Sequence, residues 1–231
     1  MPYSKESLTS TITNFQEKEL DTLKSYADLI KKHHDCPEIL LYNFARVART
    51  QDLTKFLVYH EIFKEVLNIP GDIFDIGVLE GQSLFSFAHF SEIYEHRNYP
   101  RKIIGFDDFK GYTLPNGHKV KPTTTKLLEE AIQIFNNSIA FNQFNKISLV
   151  KGKIIKSLPK YVKEKQSVCA LLILHYGLYE TDEKVLKTLW SRMPRGGIVL
   201  MGSFSFDSEN QCTQVIDDVL GIGELEIRRF P

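Results

Sequence analysis

Short apolar stretches alternate with amphipathic stretches from residue 71 onward, and this alternation constrains the fold more than any other feature of the sequence. The predicted strands span residues 72–76, 102–106, 147–150, 168–174, 198–201 and 225–229. The predicted helices between them span residues 83–96, 127–141, 158–164, 180–193 and 211–220. Such alternation predicts an α/β fold, with a mostly parallel sheet and helices on both of its faces.

The first part of the chain has a different pattern. Helical periodicity covers residues 7–30, 37–50 and 52–67, and no strong strand signal precedes residue 71. We therefore predict two regions. Residues 1–68 would form an N-terminal helical extension or lid, and residues 69–231 would form one ligand-binding domain around the sheet.

Composition excludes several classes of protein. The 29 basic and 29 acidic residues balance, which argues against a dedicated nucleic-acid or anionic-membrane binder. The longest apolar run, at 168–174, is too short to span a bilayer. Cys36, Cys169 and Cys212 have no paired spacing, and the N-terminus lacks the apolar core of a signal peptide. We therefore expect a cytoplasmic protein with no nucleic-acid or membrane partner.

In parallel sheets ligands bind at the carboxyl ends of the strands, so the residues that follow each predicted strand are the candidate site. Residues 75–83 read DIGVLEGQS, in which Gly77 and Gly81 allow a tight turn and a close approach of the backbone to a ligand. The spacing is not G-x-G-x-x-G, so a nicotinamide oxidoreductase is disfavoured. On these glycines alone, an ordinary strand-to-helix turn is the favoured interpretation.

Two acids follow the second predicted strand. Asp107 lies 26 residues beyond Gly81, which is the usual separation for an acid that accepts hydrogen bonds from ribose hydroxyls. Asp107 and Asp108 are also compatible with a solvated acidic loop. Taken in order, the glycine turn and the acid favour an adenosine-containing cofactor.

Several segments together are similar to one known family. They are QDLTKFLVYHEIFK (51–64), IPGDIFDIGV (69–78) and RKIIGFDDFKG (101–111), followed by shorter strings at 150–152, 157–159, 178–180, 193–196 and 227–231. In this order they resemble the macrocin O-methyltransferase family, whose members methylate sugar hydroxyls with S-adenosylmethionine. The resemblance implies a class I methyltransferase (Rossmann-like) fold, S-adenosylmethionine as cofactor, and a small sugar-like acceptor.

The resemblance also implies the cofactor-binding residues. Gly77, Val78, Gly81 and Ser83 would line the methionine part of the cofactor, and Asp107 would hold its ribose. The remaining residues expected at the cofactor lie in the same matching segments, and they are Asp75, Asp108 and Gly152. The acid that commonly follows this last glycine in the family is replaced by Lys153.

The family's metal-binding acids are replaced in this chain. The family has Asp-x-Asp where residues 175–177 read HYG, and two acids where residues 202–203 read Gly-Ser. Magnesium requires oxygen ligands, mainly carboxylates, and histidine suits softer metals. We therefore predict that no metal site remains. Asp207 and Glu209 could supply carboxylates, but a charged pair in a loop is usually solvated.

His175 follows the predicted strand 168–174, where a side chain can reach a bound substrate. At neutral pH a histidine can accept a proton from a hydroxyl group. His175 is therefore either a general base that acts without a metal or a residue that fills the volume of a lost aspartate.

Two functions of different classes follow. The first is a methyltransferase that acts on a hydroxyl of a sugar or a sugar-bearing small molecule, without the divalent metal of the family. The alternative is a catalytically inactive relative that serves as a binding or assembly subunit.

Class I sheets normally end in an antiparallel hairpin, whereas only one such strand, 225–229, is predicted here. An unpaired edge favours pairing with a second copy, so a homodimer is expected.

Overall fold

The computed structural model describes residues 17–95, 100–113, 119–139, 145–202 and 211–229. These residues group into two compact units, within Met1–Val58 and Tyr59–Pro231. The sheet and all residues of the candidate site belong to the second unit.

The described part of the first unit is helical. Helix α1 spans Glu17–Lys31 and α2 spans Pro37–Tyr42. Helix α3 spans Thr50–Val66, so its residues 59–66 belong to the second unit. The helix predicted at 37–50 is shorter than expected, because a separate 3-10 turn at Phe44–Arg46 follows α2. Within this unit the guanidinium of Arg49 donates two hydrogen bonds to Asp52, which keeps the pKa of that carboxyl below its usual range.

A five-stranded parallel sheet forms the centre of the second unit. Its strands are β1 (Asp72–Ile76), β2 (Ile103–Asp107), β5 (Ile147–Lys151), β6 (Cys169–Leu174) and β7 (Ile198–Met201). Their spatial order is β5-β2-β1-β6-β7, so the order reverses between β1 and β6. Two short strands, β3 (Tyr112–Thr113) and β4 (Lys119–Val120), pair as a separate antiparallel hairpin. The predicted parallel α/β fold is confirmed.

Helices connect the parallel strands. They are α4 (Gln82–Tyr94), α5 (Lys126–Ser138), α6 (Ile154–Lys165), α7 (Tyr179–Leu189) and α8 (Cys212–Leu220). None of the helices within the described ranges has the length and apolar character needed to cross a membrane.

The two faces of the sheet follow the period of two in each strand. Phe74 and Ile76 of β1 and Phe106 of β2 belong to an apolar cluster with α6, α7 and α8. The next residues along β1 point the other way, so Asp75 faces the first turn of α4 and hydrogen-bonds there. This alternation places a carboxylate inside the protein, directly below a helix N-terminus.

The strand predicted at 225–229 is wrong. The chain turns at Gly221, forms a 3-10 turn at Ile222–Glu224, and continues without strand pairing through residue 229. Arg228 instead forms an ion pair with Glu65 on α3, 3.3 Å away. A strand requires a neighbour with which to exchange backbone hydrogen bonds, and residues 225–229 pair with none of the described strands.

Candidate active site

The loops after β1 and β6 meet at the point where the strand order reverses. Ile76 pairs with Leu174 in the parallel register, and the backbone amide of His175 donates to the Ile76 carbonyl at 3.1 Å. In open α/β sheets this crevice is the usual ligand site. The structure therefore brings the turn at residues 77–81 beside the segment at 175–177.

Asp75, Ser83 and His175 form one polar cluster in this crevice. The Ser83 hydroxyl donates to Asp75 Oδ2 at 2.6 Å, and Ser83 Oγ lies 3.0 Å from His175 Nε2. His175 Nε2 is also 3.2 Å from Asp75 Oδ1. The Asp75 side chain is fully buried, whereas that of His175 is 21% exposed. Among the described residues no donor of good geometry bonds to Asp75 Oδ1, and His175 Nε2 lies beside it.

This cluster determines which nitrogen of His175 is basic. The single proton of the Ser83 hydroxyl is used in the bond to Asp75, so Ser83 Oγ can only accept from His175. Nε2 must therefore carry a proton, and in the neutral ring the lone pair resides on Nδ1. Nδ1 is the nitrogen that can take up a proton, and the Asp75 carboxylate would stabilise the resulting imidazolium.

The second acid, Asp107, is already engaged by the protein. Its Oδ2 accepts from the Leu79 amide at 3.1 Å, and its Oδ1 accepts from the Phe109 amide at 2.7 Å and the Tyr176 hydroxyl at 3.2 Å. Asp107 is only 4% exposed. Three of its hydrogen-bonding positions are thus occupied from within the chain.

The ring of Tyr176 covers Gly77. Gly77 has a φ of +90°, and a Cβ placed on it would lie 2.8 Å from two ring carbons of Tyr176. The same ring packs on Tyr112, with centroids 4.5 Å apart, and Tyr176 is 7% exposed. The surface of Gly77 that sequence analysis assigns to a cofactor is therefore filled by an aromatic side chain.

The remaining predicted cofactor residues have structural partners. The Val78 side chain is buried against Gly105, and Gly81, with a φ of +86°, is the residue before α4. Asp108 accepts from the Lys110 amide at 3.0 Å, and the Gly152 amide donates to the Asp107 carbonyl at 3.0 Å. Gly152 thereby joins the end of β5 to the end of β2.

The residues described here do not fit an adenosyl cofactor while Tyr176 is in this position. A cofactor at this turn needs the open surface of Gly77 and free acceptor capacity on Asp107. The Tyr176 ring covers the surface of Gly77, and the Tyr176 hydroxyl uses part of the acceptor capacity of Asp107. The turn, the acid and the helix N-terminus are present, but the space between them is occupied.

Asp182 is a buried acid that sequence analysis did not single out. It lies in the first turn of α7, is fully buried, and neither of its carboxyl oxygens has a hydrogen-bond partner among the described residues. Burial raises the pKa of Asp182 to about 7, and the Gly177 amide opposes this rise without forming a hydrogen bond of good geometry. An acid at the start of a helix is common, so the sequence carries no signal of its burial.

An open cleft of about 500 Å³ lies at the N-terminal ends of α7 and α8. Carboxylate, hydroxyl and amide side chains contribute to a lining that also has apolar surface, and the lining residues are Leu178, Tyr179, Glu180, Thr181, Gln211 and Gln214. The cleft begins two residues after Tyr176, next to the segment that carries His175.

No group of three acidic, histidine or cysteine side chains that could hold a metal ion occurs among the residues with described positions. Gly177 and Gly202, at two places where the resemblance expects acids, offer no side-chain oxygen. Ser203, Asp207 and Glu209 lie outside the described residues.

The sequence matches the family described as Macrocin-O-methyltransferase (TylF) over residues 3–222. No curated protein matches the chain significantly.

Solved structures of similar fold include two of CalS11. One, a calicheamicin methyltransferase, superposes with a TM-score of 0.87 at 25% identity, covering 95% of this chain and 91% of the other. The second is the apo form, described as TDP-rhamnose 3'-O-methyltransferase, with a TM-score of 0.84 at 26% identity and coverage of 95% and 92%. The O-methyltransferase NovP has a TM-score of 0.54 at 18% identity over 71% of this chain and 70% of the other, and it supports the fold alone.

Proposed function

The chain belongs to the macrocin O-methyltransferase family, and on that premise we propose that it methylates a hydroxyl group of a sugar or of a sugar-bearing small molecule. It is a methyltransferase of a family whose methyl donor is S-adenosylmethionine. The resemblance of residues 51–111 to this family is confirmed by the match over nearly the whole chain.

Similarity to CalS11 supports the choice of a sugar acceptor. CalS11 is described as acting on TDP-rhamnose, and it matches this chain along almost its full length. We propose a nucleotide-linked sugar as the acceptor class. The cleft beside residues 178–181 is a suitable place for it, because Glu180, Gln211 and Gln214 can hydrogen-bond sugar hydroxyls.

The position of the His175 imidazole carries the mechanistic part of the proposal. Ser83 and Asp75 hold the ring with Nε2 protonated, so Nδ1 can accept the proton of the acceptor hydroxyl as its oxygen becomes a nucleophile. The proton ends on Nδ1, and the buried carboxylate of Asp75 stabilises the imidazolium at 3.2 Å. This role makes His175 the proton acceptor and makes Asp75 and Ser83 its positioning residues.

We propose that this reaction needs no divalent metal. Glycines occupy two of the places where the resemblance expects metal-binding acids, and a histidine occupies a third. A neutral imidazole can activate the hydroxyl by taking its proton, which replaces the Lewis-acid role of a cation. The alternative of a non-catalytic binding subunit gains no support from the family or from CalS11.

Two further predictions remain proposals. The first is that residues 1–68 form an N-terminal helical extension or lid. The second is that the protein is a homodimer, which light scattering after gel filtration would test. Both outer strands of the described sheet, β5 and β7, have one side without a neighbouring strand.

The test is a methyl-transfer assay with purified protein. S-adenosylmethionine is incubated with a panel of nucleotide sugars and free glycosides, and mass spectrometry detects the gain of one methyl group. We expect methylation of at least one nucleotide sugar. The His175→Ala variant should lose about 10²-fold or more in turnover, whereas His89→Gln, which changes an exposed histidine on α4, should retain it.

Two outcomes would contradict the proposal. Methylation that persists undiminished in His175→Ala would exclude the proton-acceptor role. Absence of any methylated product across the panel would exclude the acceptor class.

A further inference from the structure

We propose that Tyr176 is a gate that closes the donor site of the chain, and that the donor binds only when this side chain has moved away. This inference rests on the proposed function, because it presumes that S-adenosylmethionine binds at the turn after β1. It goes further because it assigns a role to Tyr176, which lies between His175 and Gly177, the two positions where the resemblance expects acids.

The first observation is steric. The ring of Tyr176 lies against Gly77, and two of its carbons are 2.8 Å from the position that a Cβ would take. Glycine at this turn permits the backbone to approach a ligand closely. Here the group that makes the close approach is a side chain of the same protein.

The second observation is chemical. The Tyr176 hydroxyl donates to Asp107 Oδ1 at 3.2 Å, which is the kind of bond that a ribose hydroxyl makes to an acid at this place in nucleotide-binding sheets. Tyr176 therefore provides both an aromatic ring on the glycine turn and a hydroxyl on the acid. In these two respects it substitutes for an adenosyl ligand.

The third observation concerns what holds the gate closed. Tyr112 packs on the Tyr176 ring at a centroid distance of 4.5 Å, and burial raises the pKa of the Tyr176 hydroxyl, with the charge on Asp107 adding to that rise. The hydroxyl therefore stays protonated and continues to donate. Next along the chain, Gly177 has a φ of +63° and provides a flexible backbone position about which the segment can turn.

When most molecules are closed, the apparent affinity for the donor equals the affinity of the open form multiplied by the fraction of molecules that are open. If one molecule in about ten is open, removing the gate should tighten donor binding about tenfold. The Tyr176 side chain is almost fully buried in the closed position, so opening the gate would expose its ring to solvent.

The test is calorimetric titration of the full chain with S-adenosylhomocysteine, the demethylated form of the donor. The variants are Tyr176→Ala, which removes the ring and the hydroxyl, and Tyr176→Phe, which removes only the hydroxyl. We expect Kd to fall about tenfold or more in Tyr176→Ala and by a smaller factor in Tyr176→Phe. Tyr94→Ala, at an exposed tyrosine at the end of α4, is the matched control and should leave Kd unchanged.

The outcomes separate the gate from the proposed function. An unchanged or weaker affinity in Tyr176→Ala overturns the gate, even if the wild type methylates a sugar. If Tyr176→Ala does not fold, Tyr176→Phe decides alone: tighter binding supports the gate, and unchanged binding overturns it. Failure of every variant to bind S-adenosylhomocysteine also overturns the gate. Failure of the wild type to methylate any sugar, with tighter binding in Tyr176→Ala, overturns only the acceptor proposal.

Discussion

The Asp182 carboxyl is buried between elements that offer it no hydrogen bond. The groups that face it are the Cys212 thiol on α8, the Tyr112 phenol on β3 and the Gly177 amide. Burial raises the pKa of Cys212 to about 12 and that of Tyr112 to about 12, and in both cases the charge on Asp182 adds to the rise. The described surroundings therefore contain no cation that would stabilise the ionised form.

We predict that Asp182→Asn stabilises the protein at alkaline pH. The pKa of Asp182 rises from 3.8 to about 7 on folding, so the folded protein holds the proton more tightly than the unfolded chain does. The protonated acid therefore makes its full contribution to stability below pH 3.8, and this contribution is lost as the pH rises to about 7. Each unit of pKa corresponds to about 1.4 kcal/mol, so ionisation destabilises the wild type by at most about 4 kcal/mol above pH 7. An asparagine side chain at this position carries no charge and avoids this loss.

Thermal unfolding at pH 8 and at pH 4 measures this effect. The midpoint of Asp182→Asn should exceed that of the wild type at pH 8, and the two should converge near pH 4. Glu180→Gln, on the exposed side of the same turn, serves as the control for loss of a negative charge. An equal difference at both pH values would show that Asp182 does not titrate in this range.

In the proposed mechanism Ser83 links Asp75 to His175, because its hydroxyl donates to Asp75 and accepts from His175. We predict that Ser83→Ala lowers kcat about tenfold with little change in KM, because the tautomer of His175 is then no longer fixed. The loss corresponds to one hydrogen bond of about 1.4 kcal/mol. Steady-state kinetics measure it, and Ser83→Thr, which keeps the hydroxyl, should restore most of the activity. A rise in KM alone would indicate a role in binding instead.

At the scale of elements, Arg101 joins the end of α3 to the beginning of β1. Its guanidinium donates to the backbone carbonyls of Val66, Ile69 and Gly71, at 3.2, 3.0 and 2.7 Å. Arg101 also forms an ion pair with Glu95 at 2.6 Å, and both side chains are almost completely buried. This pair satisfies free carbonyls at a helix end and sets where the first strand begins.

We predict that Arg101→Met destabilises the protein by about 3–5 kcal/mol, because it leaves the Glu95 carboxylate buried without its cation. Arg228→Met is the matched control, since the ion pair of Arg228 with Glu65 is exposed to solvent. Chemical denaturation measures both variants. A similar midpoint for Arg101→Met and the wild type would show that the buried pair does not hold these elements together.

A predicted helix or strand is most accurate where neighbouring residues alone define its ends. The first predicted strand, at 72–76, coincides with β1, because an apolar run bounded by Gly71 and Gly77 can be recognised without knowledge of its neighbours. The helix predicted at 158–164 begins earlier, at Ile154, because Pro159 lies inside α6 rather than at its start. The segment at 225–229 has the composition of a strand, but it pairs with none of the described strands.

At the scale of the whole molecule, the reaction should not depend on a divalent cation. We predict that EDTA leaves turnover unchanged and that magnesium does not raise the thermal midpoint. A cation bound by the native state would stabilise it in proportion to its binding, and residues 175–177 contain no carboxylate to bind one. Loss of turnover in EDTA that magnesium restores would contradict the prediction and would indicate a metal site.

The sequence by itself determined the parallel α/β fold, the family, and the positions at the strand ends where Asp75, Asp107 and His175 lie. These features depend on short-range periodicity and on residue types at particular places, which can be read along one chain. Only the tertiary structure decided that Ser83 bridges Asp75 to His175, that Tyr176 covers Gly77, and that the Asp182 carboxyl is buried without a hydrogen bond from any described residue. Tyr176 and Gly77 are 99 residues apart, and their contact arises from the register of β1 and β6 and the packing above it. Local patterns do not encode that packing, because a side chain fills whatever space its distant neighbours leave.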